Sequence, residues 1–139
     1  MRPDRIRFPF KSVLGVILVL AVAGGIASYI SAKDRKTRIL RSEQLTGGRP
    51  MAGLAAMEKY GCGSCHNVKG LPRRPTGIAP DLEKLSSRAY IGGVIDNTPR
   101  NLVNWIINPP AVDPLTAMPA VGVTEEDARH IAAYLYYLE

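Results

Sequence analysis

Two cysteines three positions apart, followed at once by a histidine, make Cys62-Gly63-Ser64-Cys65-His66 the most chemically specific stretch of this chain. Cys-x-x-Cys-His is the spacing of covalent haem attachment. Two thiols add across the two vinyl groups of one haem, and two intervening residues fit that separation on a single helical turn. The adjacent imidazole can then turn under the iron as its proximal ligand. Gly63 and Ser64 are small, so the backbone can lie close to the porphyrin edge. Three other chemistries share part of this pattern. A redox dithiol wants a βαβ context, which the surrounding sequence lacks. A zinc site needs four ligands, and the chain holds two cysteines and two histidines, His66 and His130, far apart in sequence. A structural disulfide leaves the following histidine without a role.

The sixth position of such an iron calls for a second donor. Residues Asn108 to Pro119 hold four prolines, which predicts a stiff extended loop rather than regular structure. Met118 is its only sulfur, 52 residues beyond His66 and immediately before a proline. Met118 is therefore the expected distal ligand. Met51 and Met57 are expected to fill the core; His130 is the alternative ligand but is expected at the surface. Ligation by His66 and Met118 closes both axial positions and raises the reduction potential relative to two nitrogen ligands. With no nucleophile, acid–base pair or second cofactor in view, one-electron transfer is the expected chemistry, and enzymatic catalysis by the chain itself is not.

The elements that must position these residues follow from composition. Through Arg41 there are nine Lys/Arg against two acids, a net charge of +7; from Ser42 onward there are nine against ten, a net of −1. The basic character of the chain belongs to its amino-terminal segment, so nucleic-acid binding loses its support. Arg2, Arg5, Arg7 and Lys11 precede an uncharged run from Ser12 to Ala32, long enough to cross a bilayer as a helix. A cleaved signal peptide would have a shorter apolar region, and the single Ala-x-Ala, Ala21-Val22-Ala23, lies mid-span. The expected organisation is a basic cytoplasmic tail over 1–11, a transmembrane anchor over 12–32, a stalk or linker over 33–49 and a haem domain over 50–139. Basic residues flank the run on both sides, so the positive-inside rule does not orient it. Haem attachment outside the cytoplasmic membrane does, and puts the haem domain on the extracytoplasmic side.

Within the last segment, Pro50 to Tyr60 reads as a helix delivering the chain to Cys62, with Gly53 the expected place for another helix to come close. Thr124 and Asp127 begin a carboxyl-terminal helix through Leu138, whose stripe of Ile131, Tyr134, Leu135 and Leu138 is suited to cross over Gly53. Ser86 to Ile95 and Thr98 to Ile107 are further helical candidates, the second with Leu102, Trp105 and Ile106 on one face. Lys69, Arg73 and Arg74, in the loop after the haem motif, offer charges that could steer an acidic partner.

From about Gly53 to Leu138 the chain resembles a class I monohaem cytochrome c, an all-α fold wrapped around one covalent haem c, here preceded by a single transmembrane helix. Gly53 and Tyr134 match the family's helix-crossing positions, with Met57 where an aromatic is usual. The resemblance implies that Pro80 gives its carbonyl to the proximal histidine, that Leu82 packs on the haem face, and that Trp105 donates to a haem propionate. Arg88 and Arg100 are further propionate candidates. The run from Asn97 to Ile106, with Asn108-Pro109 and Ala117-Met118-Pro119, is similar to cytochrome c domains attached to haem–copper oxidases and to cytochrome subunits of quinol-oxidising complexes. That likeness implies a bilayer-anchored carrier between such respiratory complexes. An acceptor for a periplasmic dehydrogenase, or a haem sensor or peroxidase, are the alternatives.

Overall fold

The computed structural model describes residues 10–72 and 78–138. It divides into two units, Met1–Lys36 and Thr37–Glu139. The first helix, α1 (Phe10–Thr46), contributes to both.

In the first unit, Val13 through Ile30 expose their apolar side chains around the whole circumference of α1. A helix apolar on every side has no soluble core to face. This one is long and apolar enough to cross a membrane. Two of its hydroxyls are internally satisfied: Ser28 and Ser31 donate to the carbonyls of Gly24 and Ala27, each at 2.9 Å, which lowers the cost of a hydroxyl in hydrocarbon.

The second unit begins with the last turns of α1, where Ser42 and Thr46 are buried. Gly47, at φ 69°, ends the helix. Helix α2 (Pro50–Lys59) starts with Pro50, whose missing N–H and pre-set φ suit a first helical position. It crosses α5 (Glu125–Tyr137) at Gly53, where an added Cβ would lie 1.9 Å from the His130 carbonyl oxygen. Only a residue without a side chain permits that approach. The stripe on α5 performs as its spacing predicts: Ile131, Tyr134 and Leu135 are buried and Leu138 packs at the margin of the core. Thr124 caps α5 by accepting the Asp127 N–H at 3.2 Å. Asp127 then ties the start of α5 to the end of α2, accepting from Lys59 Nζ at 2.9 Å and from the Tyr60 hydroxyl at 2.8 Å.

Four expectations need correction. Ser86 to Ile95 is not a helix: a 3-10 turn at Leu85–Ser87 leads into a two-stranded ribbon, β1 (Tyr90–Ile91) and β2 (Ile95–Asp96). In the three-residue turn between the strands, Gly92-Gly93-Val94, both glycines take positive φ, which breaks a helix and suits a hairpin. The proline-rich loop contains one helical turn, α4 (Pro109–Val112). Its two leading prolines have no N–H to leave unpaired, and the Asn108 side chain caps Ala111 at 3.3 Å. His130 is buried, and its Nδ1 accepts the Arg49 N–H at 3.0 Å. Met51 is exposed, while Met57 is buried.

Helix α3 (Pro99–Ile107), capped by Thr98 and buried through Leu102, Trp105 and Ile106, packs against α5. Asn97 joins these parts. Its Nδ2 donates to the carbonyls of Leu85 at 2.7 Å and Arg88 at 2.9 Å, and its Oδ1 accepts from the Tyr136 hydroxyl at 2.9 Å.

Candidate functional site

The Cys62–His66 stretch owes its shape to Gly61. At φ 70° and ψ 24° this residue ends α2 and turns the chain into a 3-10 turn, Cys62–Ser64. The turn is closed by backbone bonds from Cys65 and His66 to the Cys62 carbonyl, at 3.3 and 3.0 Å. Both thiols are free: Cys65 is exposed and Cys62 half-buried against the core. Burial pushes the Cys62 thiol above its ordinary pKa, so the unattached side chain stays protonated at neutral pH. At Gly63 the space is taken by Leu71, 3.3 Å from where a Cβ would stand.

His66 Nδ1 lies 2.7 Å from the Pro80 carbonyl oxygen. A carbonyl only accepts, so the proton sits on Nδ1 and the lone pair on Nε2 is free for a metal. Backbone bonds on both sides hold that contact, from Ala79 N to the Cys65 carbonyl at 3.2 Å and from Leu82 N to the Asn67 carbonyl at 3.0 Å. Arg88 donates its guanidinium to the Asp81 carbonyl, directly after Pro80.

These residues border one cavity of about 360 Å³. Cys62, Cys65 and His66 line it together with Pro80, Leu82 and Arg88; Trp105 and Met118 line it from α3 and the loop after α4. Eight of the residues singled out in the sequence thus meet at one place. Arg100 does not line the cavity. Arg73 and Arg74 lie outside the described residues. Most of the remaining lining is apolar, including Met57 from α2 and Ile131 and Leu135 from α5. Sequence reasoning assigned those three to the core alone. Met57 carried a signal, since five residues before Cys62 it sits on the turn that leads into the haem motif.

The donor set fits an iron porphyrin: two unpaired thiols at one edge, an imidazole with its Nε2 free, a thioether and an apolar enclosure. It does not fit zinc. Among the described residues no three His, Cys, Asp or Glu side chains come together as metal ligands.

Comparison with known proteins agrees with this geometry. Residues 51–139 match the family model for cytochrome c. The chain is similar to cytochrome c oxidase subunit 2 of Alkalihalophilus pseudofirmus, 32% identical over 88 residues that make up 63% of this chain and 25% of that protein. It is also similar to cytochrome c oxidase subunit 2 of Bacillus sp. strain PS3, 32% identical over 82 residues, 56% of this chain and 23% of that protein. The chain therefore spans about a quarter of the length of these curated relatives. No solved structure matches it significantly. With a matched segment covering most of the chain and a cavity whose donors fit an iron porphyrin, the protein belongs to the cytochrome c family, whose domain implies a haem c and electron transfer.

Proposed function

We propose that this chain is a membrane-anchored monohaem cytochrome c that carries single electrons from a quinol-oxidising complex to a haem–copper terminal oxidase. In this reading Cys62 and Cys65 would hold one haem covalently, and His66 and Met118 would ligate its iron. The convergence of two thiols, a free imidazole nitrogen and a thioether on one apolar cavity is the observation that carries it. Haem c, when bound, supplies an iron that passes between ferric and ferrous states by one electron.

The chain's own residues set the terms of that exchange. The Pro80 carbonyl fixes the His66 ring and raises its basicity. Met118, a soft neutral donor, favours the reduced state. Apolar walls from Met57, Leu82 and Leu135 keep water out, which disfavours the extra positive charge of the ferric form. Trp105 and Arg88 bring an indole N–H and a guanidinium to the cavity, and both suit haem propionates. With His66 and Met118 both committed to the iron, no site would remain for oxygen or a substrate, and the chain would act as a carrier rather than an enzyme.

The residue 12–32 run anchors the carrier, with 1–11 on the cytoplasmic side, 33–49 as connection and the haem domain outside. The length and apolarity of α1 support the anchor. The likeness to oxidase subunits supports a terminal oxidase as partner, whether as a passing acceptor or as a complex of which the chain is a bound subunit. Anchoring restricts exchange to neighbours in the same membrane, at high effective concentration.

Absorption spectra of the detergent-solubilised full chain, ferric and ferrous, beside Met118→Ala test the ligand set. A sulfur-to-iron charge-transfer band at the red end of the ferric spectrum, lost in the variant, is the expected result. Its absence from the wild type, or its persistence in the variant, refutes the distal assignment. Co-purification of oxidase haem and copper with the chain is expected from native membranes; recovery of a dehydrogenase instead would refute the proposed partner.

A further inference from the structure

We infer that Thr116 is a positioning residue for Met118, holding the loop in the one backbone conformation that presents the thioether to the cavity. This rests on the assignment of Met118 as the distal ligand.

The segment between α4 and α5 is irregular, so little repetitive hydrogen bonding stiffens it. Three local bonds do that work instead. Asp113 Oδ1 accepts the Leu115 N–H at 3.0 Å, the Asp113 carbonyl accepts the Thr116 N–H at 3.1 Å, and Thr116 Oγ1 accepts the Met118 N–H at 3.2 Å. These are side-chain and backbone turns of the kind Asp and Thr form in loops. Asp113 holds both Leu115 and Thr116, and Thr116 in turn holds Met118. Pro119 restricts Met118 from the other side, because the residue before a proline is driven out of the helical region. The N–H of Met118 is thus held by Thr116 and its ψ by Pro119.

Neighbouring packing makes this bond matter. Leu115 is 92% exposed, so the loop gains almost no anchorage from the side chain before Thr116. Thr116, Ala117 and Met118 all line the cavity, and of the three only Thr116 has a polar side chain. Thr116 thus combines a place at the cavity wall with the hydroxyl that holds the Met118 N–H. Met118 itself is only partly buried against the core, so packing alone does not fix it.

A thioether is a soft ligand and binds ferric iron less firmly than ferrous iron. Loss of the Thr116 bond should therefore appear in the ferric state, as easier replacement of Met118 by an added ligand. One hydrogen bond of ordinary worth predicts about a fivefold change, equivalent to about 1 kcal/mol.

The test is an imidazole titration of the ferric, detergent-solubilised full chain, followed through the red charge-transfer band. The variants are Thr116→Val, Thr116→Ser, Thr98→Val and Met118→Ala. Thr116→Val keeps the shape and removes the hydroxyl. It should need about fivefold less imidazole for half-displacement, and Thr116→Ser should return close to wild type. Thr98→Val deletes an equivalent hydroxyl, which accepts the Asn101 N–H at 3.2 Å at the start of α3. It should lower stability without changing the titration. Wild-type behaviour of Thr116→Val, or equal shifts in Thr116→Val and Thr98→Val, overturns the positioning role. Should the band vanish in Met118→Ala at the same time, the ligand assignment survives that failure. A band that persists in Met118→Ala overturns both.

Discussion

Replacing Gly53 by alanine separates two forces of opposite sign. In an isolated helix the change is favourable, because glycine costs about 1 kcal/mol relative to alanine. In this protein the new Cβ would stand 1.9 Å from the His130 carbonyl oxygen, 2.5 Å from its carbon and 2.9 Å from the Tyr134 Cβ. Two of these obstacles are backbone, so no rotamer change relieves them. Restoring an ordinary contact of about 3.4 Å requires α2 and α5 to part by about 1.5 Å. A gap of even 0.5–1 Å forfeits roughly a quarter to a half of the dispersion attraction across it. Met57, Ile131 and Leu135, all buried beside this crossing, lose contacts together. Overpacking of this kind costs typically 1–3 kcal/mol or more; with a rigid obstacle the upper figure applies, and the propensity gain offsets about a third of it. A net loss of about 2 kcal/mol is expected, or roughly 8–16 °C in the thermal midpoint of a domain this size. Thermal and urea unfolding of the haem-loaded chain, wild type against Gly53→Ala, measure it directly. An unchanged or raised midpoint would show that propensity outweighs the crossing and would refute the reasoning.

Asn97→Ala removes two donated bonds and one accepted bond between the 85–88 turn and Tyr136 of α5. It should cost about 2–3 kcal/mol in urea unfolding, with Tyr136→Phe costing about 1 kcal/mol; equal losses would mean that the two carbonyl contacts contribute nothing. The Lys59 hydrogen bond, followed by that of Tyr60, holds the Asp127 carboxyl below the usual carboxylate range. A depressed folded pKa stabilises above the unfolded value and loses that contribution as pH falls through the folded one. Lys59 is shifted upward, chiefly by the same bond, so its contribution is complete below its unfolded pKa and disappears as pH rises through the folded value. The Lys59–Asp127 pair is therefore intact at neutral pH. Asp127→Asn should flatten the acid limb of the stability–pH curve, and 1 M salt should weaken the wild-type dependence. An acid limb identical in the variant would assign that limb to other carboxylates.

Much of the site was legible because its chemistry is written in short spacings. Cys62, Cys65 and His66 sit on one turn, and Met118 stood out as the single sulfur in a proline-stiffened loop. The amphipathic stripe of α5 and the Thr124 cap are equally local, and both hold in the structure. Legibility failed where a residue's role depends on a distant partner. Nothing near His130 in sequence announces that the Arg49 N–H, 81 residues away, will make it an interior acceptor. Nothing near Asn97 in sequence announces Tyr136, 39 residues away, as its partner. The 86–95 stretch has apolar residues that fit a helix, yet Gly92 lies so close to Trp105 that an added Cβ would be 2.5 Å from the indole ring. That contact, together with positive φ at Gly92 and Gly93, selects the ribbon instead. Periodicity, capping and motif spacing are short-range properties, and sequence alone determined them: the apolar span, the Cys-x-x-Cys-His signature and the apolar stripes of α3 and α5. Which carbonyl meets His66, how closely α2 approaches α5 and which backbone N–H meets His130 were decided by tertiary packing, because each depends on where chain segments come to lie in space.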